Sequence, residues 1–177
     1  GVRCRGASVD EQPARDGAAA EAEEAPGGLG ELGDGREGPG AGLAVETEDK
    51  NLKTFKFTFL DPGDEQKFAY KAGQFAELSV AGKGEIPIGI ASSPTEKGFV
   101  MFTVNKVGLV SSHLHAMKSG DIMGIRGPMG NWYPWERMHG KNVVIIGGGF
   151  AFTTLRSSIV YMLHPDNRPK FKDIHVI

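Results

Sequence analysis

Apolar and polar side chains alternate along this chain in two rhythms, which change over near residue 139. Leu52-Lys53-Thr54-Phe55-Lys56-Phe57-Thr58-Phe59-Leu60 sets bulky apolar residues against polar ones at a period of two, as expected where one face of a strand is buried. Asp61-Pro62-Gly63-Asp64 is turn chemistry, and Phe68-Ala69-Tyr70 leads to a bend at Ala72-Gly73. Gln74-Phe75-Ala76-Glu77-Leu78-Ser79-Val80 alternates again. Gly82-Lys83-Gly84 then turns the chain into Ile86 to Ser92, and Phe99 to Val104 and Asp121 to Arg126 are two further strands. Short strands at this spacing, separated by Gly and Pro, predict a small antiparallel barrel of the Greek-key type. One helix interrupts them, from Ser111 to Met117, starting on a capping hydroxyl and stopping before Gly120.

Beyond Gly140 the rhythm is different. Asn142-Val143-Val144-Ile145-Ile146 is an unbroken apolar run, which predicts a strand buried on both faces. Gly147-Gly148-Gly149 follows, then a helix with Phe152, Leu155, Ile159, Met162 and Leu163 on one face, closed by Pro165. Ile174-His175-Val176-Ile177 opens a second apolar strand. This strand–helix–strand unit is the first part of an α/β parallel-sheet nucleotide-binding domain. Alone it leaves apolar edges and faces uncovered, and the expectation is a domain truncated at residue 177.

The head has neither rhythm. Residues 1–43 are rich in Gly, Ala, Glu and Pro and contain no aromatic residue, too little apolar surface to offset the entropy of ordering them. Three regions are therefore expected: a disordered extension over 1–43, a barrel over 44–138 and an α/β portion over 139–177.

Composition narrows the function classes. A net charge of -2 offers no basic field, and the chain lacks the aromatic–basic stripe of a nucleic-acid-binding barrel. No apolar run approaches the roughly 20 residues of a membrane span. The acidic head lacks the pattern of a signal or transit peptide. The one cysteine, Cys4, makes no internal disulfide and holds no iron–sulfur cluster. A soluble, cytoplasmic protein with no metal ligands of its own is expected.

Four segments bear on chemistry. At Gly147, Gly148, Gly149 and Phe150 a buried strand ends in glycines and feeds a helix, leaving bare amides at the helix N-terminus for a diphosphate; the alternative is a tight turn without a ligand. At Gly108, Val110, Ser111 and Ser112 a glycine again precedes a helix start; the alternative is a plain capped helix. Ile88, Gly89, Ile90, Ala91, Ser92 and Ser93 end a strand in small and hydroxylated residues, which suits the flat side of a planar ring or an ordinary hairpin. The loop from Gly124 to Asn131 reads as a structural turn between the two regions. His113 and His115 are expected to be exposed or capping, and Trp132, Tyr133 and Trp135 to pack at the domain interface.

Taken in order, these motifs resemble the ferredoxin–NADP+ reductase superfamily over roughly residues 45 to 177. Ala72-Gly73-Gln74-Phe75, Pro87-Ile88-Gly89-Ile90-Ala91-Ser92-Ser93-Pro94, Gly124-Ile125-Arg126-Gly127-Pro128-Met129-Gly130-Asn131 and Gly147 to Ser157 are most similar to the branch holding the gamma subunits of nickel–iron hydrogenases and sulfhydrogenases. That branch is similar to the B subunit of anaerobic sulfite reductase and the electron-transfer subunit of dihydroorotate dehydrogenase. The resemblance implies FAD on the barrel, NAD(P) on the α/β portion, and electron transfer between them without an acid–base catalyst. It places Ile88 to Ser93, with a hydroxyl from Ser92 or Ser93, at the flavin ring. Gly108, Val110, Ser111 and Ser112 fall at its pyrophosphate, and Gly147 to Phe150 at the nicotinamide nucleotide. Where the family's flavin motif has arginine, an aromatic ring and a hydroxyl, this chain has Ile86, Ile88 and Gly89. Ala151 and Thr154 stand where the branch commonly has Gly and Pro. An iron–sulfur cluster is implied in a C-terminal part or in a partner, and other subunits of a redox complex, a hydrogenase or similar, are the implied partners. The competing reading is a non-catalytic docking barrel that has lost its flavin.

Overall fold

The structure, a computed structural model, describes residues 2–6, 44–49 and 51–177. Among these residues, seven strands make one antiparallel sheet: β1 (Val2–Gly6), β2 (Ala44–Asp49), β3 (Leu52–Phe59), β4 (Phe75–Val80), β5 (Gly84–Gly89), β6 (Val100–Asn105) and β7 (Ile122–Met129). They run in the order β2-β3-β1-β7-β4-β5, with β6 on the other edge of β3. A bridge between Ile90 and Phe102 carries the end of β5 onto β6. The sheet therefore curls into a nearly closed barrel, with β2 beside β3.

The period-two pattern of β3 does what it predicts. Phe55 and Phe57 point inward and are fully buried with Phe102, Leu78, Ile90, Val100, Val104 and Ile125. Each such side chain contributes about 1.5–3 kcal/mol of burial. Between β3 and β6 the hydroxyls of Thr54 and Thr103 meet at 2.8 Å, so this polar pair is satisfied although buried.

Four sequence expectations are corrected in the barrel. The first is that residues 1–43 are all an extension: β1 is a strand between β3 and β7, with Cys4 opposite Phe59 on one side and Met123 on the other. The cause is period-two alternation too short to stand out. Cys4 is buried and Arg3 is exposed, while Val2 packs against the core. The remainder of the expected extension, residues 7–43, lies outside the described residues. Second, the turn at Asp61 opens a helix, α1 (Pro62–Lys67), because Asp61 Oδ1 accepts from the Gly63 amide at 2.8 Å and Pro62 suits a first helical position.

Third, α2 (Leu109–Ala116) begins before Ser111. The Ser111 hydroxyl caps backward from inside the first turn, accepting from the amides of Val107 (3.0 Å) and Gly108 (2.8 Å). Fourth, His115 is buried rather than exposed: its Nε2 bonds the Val104 carbonyl at 2.8 Å and its ring meets Phe55 edge-on. Burial is the main cause that lowers its pKa from the ordinary 6.5; the Val104 carbonyl opposes this and nearby Lys53 and Lys106 reinforce it.

The remaining described residues form a second core. In it, β8 (Val143–Ile145) pairs in parallel with β9 (Ile174–Val176). Between them a 3-10 turn (Gly149–Ala151) leads into α4 (Phe152–Leu163). Trp135 in the short α3 (Trp135–Met138) packs with Ala72, Ile145, Met162 and Phe171. Because Ala72 belongs to a barrel loop, Trp135 joins the two parts, as expected, and Tyr133 stacks edge-on against it. Trp132 instead lies at the surface under the Lys71 ammonium, 3.8 Å from its ring centre.

The apolar run of β8 is buried on one side only: Ile145 is 9% exposed, against 56% for Val144 and 76% for Ile146. The helix α4 covers one face of the two strands, and among the described residues no second helix covers the other. Within α4, Met162 is buried and Leu155 and Ile159 half-buried, while Phe152 and Leu163 are exposed. Among the described residues no helix is long and apolar enough to cross a membrane.

Candidate cofactor site

The strand β5 has a glycine at each end, and each end meets a different helix. At its start, a Cβ on Gly84 would lie 3.6 Å from Val110 Cγ2 in the first turn of α2. At its finish, a Cβ on Gly89 would lie 2.5 Å from Thr154 Cγ2 in the first turn of α4. Five residue steps at a strand's rise separate these ends by about 17 Å. Both glycine-preceded helix starts that the sequence singles out are thus brought to one strand.

At the first, Gly108 has an extended backbone and open space where a side chain would be. The amides of Leu109 and Val110 belong to the first helical turn, which has no intrahelical acceptors for them. Val107 and Leu109 are exposed beside this turn. The expectation that Ser111 joins an anion site is corrected. Its hydroxyl is committed to the Val107 and Gly108 amides, and the residue is 3% exposed. Val110 is buried against the barrel and has only its amide to offer; Ser112 is half-buried.

Along β5, Ile86 and Ile88 are half-buried apolar residues packed against the barrel core. The expectation of a free hydroxyl from Ser92 or Ser93 is also corrected, because both are fully buried. Ser92 Oγ shares a 2.8 Å hydrogen bond with Tyr70 and accepts from the Met101 amide. Ser93 Oγ shares one with Thr95. Ile90 and Ala91 are buried and anchor the strand end through their amides, Ile90 to the Gln74 carbonyl and Ala91 to that of Met101. Only Ile88 and Gly89 of this segment remain partly accessible.

At the second helix start the three glycines divide the work. A Cβ on Gly147 would meet Leu155 Cδ1 and Phe152 Cδ2, both at 2.6 Å, so this glycine lets the helix pack on the strand. Gly148 and Gly149 have open space, Gly149 at a φ of 59° that favours glycine. Phe150 is 41% exposed beside them. The part of this helix start left open is therefore that around Gly148 and Gly149, with Gly147 packed beneath.

Sequence reasoning missed a cluster that ties α4 to the barrel. Arg156 donates to both carboxylate oxygens of Glu96, at 2.8 and 2.9 Å, and to the Ala91 carbonyl at 3.2 Å. Ser157, fully buried, donates to the Ser92 carbonyl at 2.7 Å. The available signal was an arginine and two serines interrupting the helix, and no local rule gives them partners about sixty residues away. Burial alone would raise the Glu96 pKa. The hydrogen bonds from Arg156 and from the Ser93 amide outweigh it and hold the carboxyl below its ordinary 4.5.

The donor set suits a flavin dinucleotide: open amides at Gly108 for a diphosphate, and a half-buried apolar strand for a planar ring. It supplies no cation at position 86 and no hydroxyl at position 89.

The fold is shared with known proteins. The chain is 40% identical over 135 residues to the gamma subunit of sulfhydrogenase 1 from Pyrococcus furiosus, covering 76% of this chain and 46% of that one. It is 32% identical over 95 residues to a probable electron transfer subunit of dihydroorotate dehydrogenase B (NAD(+)) from Methanocaldococcus jannaschii, covering 54% and 34%. The chain thus spans less than half the length of these relatives. Among solved structures, a ferredoxin NADP+ reductase from Neisseria gonorrhoeae with bound FAD and NADP superposes with a TM-score of 0.61 at 22% identity, over 77% of this chain and 55% of that one. An NADH-dependent reduced ferredoxin-NADP oxidoreductase superposes with 0.62 at 23% identity, over 81% and 49%. These likenesses establish the barrel fold. The family model described as oxidoreductase FAD-binding domain matches residues 44–133, and the chain belongs to that family.

Proposed function

We propose that this chain is the FAD-binding part of an electron-transfer subunit, one that moves electrons between NAD(P)H and an iron–sulfur partner. The observation that carries the reading is the pair of open glycine turns, Gly108 and Gly148-Gly149, held on helices at opposite ends of β5. In this reading the amides of Leu109 and Val110, with Ser112, hold the flavin diphosphate. Ile86 and Ile88 pack against the ring, whose edge lies at Gly89. The amides around Gly148 and Gly149 receive the nicotinamide nucleotide, and Phe150 borders it.

The bound cofactors supply hydride and electron transfer. The chain's own residues bind, orient and exclude water, so no side chain is assigned as acid, base or nucleophile. Names of the relatives support the wider assignment: a sulfhydrogenase gamma subunit and an electron transfer subunit imply partner subunits in a redox complex. The division into a flavin domain ending at residue 138 and a nucleotide domain from residue 139 belongs to this proposal, as does a cytoplasmic location. The docking-barrel reading is less well supported, since the family and both relatives are redox proteins.

Titration with FAD, followed by flavin fluorescence quenching and anaerobic reduction with NADH or NADPH, tests the reading. A yellow protein bleached by either nucleotide is expected. Gly108→Asp should weaken FAD binding at least about tenfold by filling the turn with a like charge. A protein that takes up no FAD sinks the proposal.

A further inference from the structure

We propose that Arg156 is a positioning residue: it clamps the nucleotide-side helix α4 onto the flavin-side strand end and so sets the approach of one cofactor to the other. This deepens the function proposed above and rests on it.

The clamp is built from residues that sit on two structural cores. On the α4 side are Thr154, Arg156 and Ser157, within the first two turns of the helix that the open turn at Gly148 and Gly149 feeds. On the barrel side are Gly89, Ala91, Ser92, Ser93 and Glu96. Three kinds of contact join them. Thr154 fills the space of the side chain that Gly89 lacks. Ser157 Oγ donates to the Ser92 carbonyl. Arg156 forks across the Glu96 carboxylate and reaches the Ala91 carbonyl. A bidentate arginine–carboxylate pair fixes orientation as well as distance, because both groups are planar.

The barrel half of the clamp is itself rigid. Glu96 Oε2 also accepts from the Ser93 amide at 2.7 Å, and Ser92 Oγ links Tyr70 to the Met101 amide of β6. A pull on α4 is therefore transmitted to β6 and to the residues that end β5. The contact lies beside Ile88 and Gly89, the accessible part of the strand end. Transfer between two bound groups depends steeply on their separation, and a displacement of about 1 Å can cost on the order of 100-fold in rate. An arginine that touches neither group can still control that distance.

The test uses wild-type protein, Arg156→Ala, Arg156→Lys and Glu96→Gln, the last retaining side-chain volume in case the alanine variant folds poorly. Amide hydrogen exchange is read first on flavin-free protein. Arg156→Ala should speed exchange in both 91–96 and 152–160 while leaving β3 and β4 unchanged, and Glu96→Gln should do the same. On FAD-loaded protein, FAD affinity should stay within about threefold. The limiting rate of flavin reduction by NADH or NADPH should fall roughly 10- to 100-fold, with part of it restored in Arg156→Lys. Unchanged exchange in the two segments overturns the clamp. Altered exchange with an unchanged limiting rate overturns the positioning role alone. A wild-type protein that binds no FAD overturns the proposed function and this role together, so the two failures are distinguishable.

Discussion

Thr154 occupies the place of the side chain that Gly89 does not have: a Cβ there would lie 2.5 Å from Thr154 Cγ2 and 2.7 Å from its Oγ1. These residues belong to different cores, so glycine at position 89 is a condition for α4 to seat on the barrel. Gly89→Ala is expected to destabilise the protein by about 1–3 kcal/mol through overpacking. Thr154→Ala in the same chain should recover most of the loss, since only Cβ, at 3.2 Å, then remains near. Denaturant unfolding of the single and double variants measures the coupling, and strict additivity would refute it.

Gly147 and Gly148 are neighbours with opposite surroundings. Gly147→Ala should lower stability, because its Cβ would strike Phe152 and Leu155 at 2.6 Å. Gly148→Ala should leave stability nearly unchanged, having nothing within 4 Å, and weaken nicotinamide nucleotide binding instead. Thermal unfolding and nucleotide titration of the two variants, run side by side, check the reversal.

His115 makes stability depend on pH in a defined window. Its pKa in the folded protein lies below the ordinary 6.5, burial being the first cause, so the unfolded chain binds a proton that the folded one refuses. The stabilisation is fully present above about pH 6.5 and is lost as pH falls through the lower folded value. His115→Gln should flatten the stability curve in that window, as seen by denaturant midpoints at successive pH values. An unaltered slope would remove His115 as the cause.

Cys4 is buried between β3 and β7, and burial first, then Asp64, pushes its thiol up to about 12. The thiolate is the reactive form. A thiol-specific reagent at pH 8 should therefore label Cys4 at least about 100-fold more slowly in the folded protein than in denaturant. Rapid labelling of the folded protein would mean that β1 leaves the barrel readily.

Much of the architecture was legible because it depends on neighbours in sequence. Phe55 and Phe57 reach the core through a period of two, and the apolar run before Gly147 marks a change to parallel strands. The glycines at 108 and 147 mark helix starts by local chemistry. These are short-range features of backbone geometry and side-chain polarity. What each polar group then does was decided by the fold. Ser92, Ser93 and Ser111 looked available to a ligand, yet their hydroxyls are consumed by Tyr70, Thr95 and the Gly108 turn. Arg156 and Glu96 carry no local sign of each other, and β1 was hidden in a head without aromatics. A hydrogen bond or ion pair between residues about sixty positions apart depends on chain closure that no local pattern records. The sequence by itself therefore determined the strands from β3 onward, the two longer helices and the two glycine turns; the tertiary structure added β1 to the barrel and decided which groups stay open and which are spent holding the two cores together.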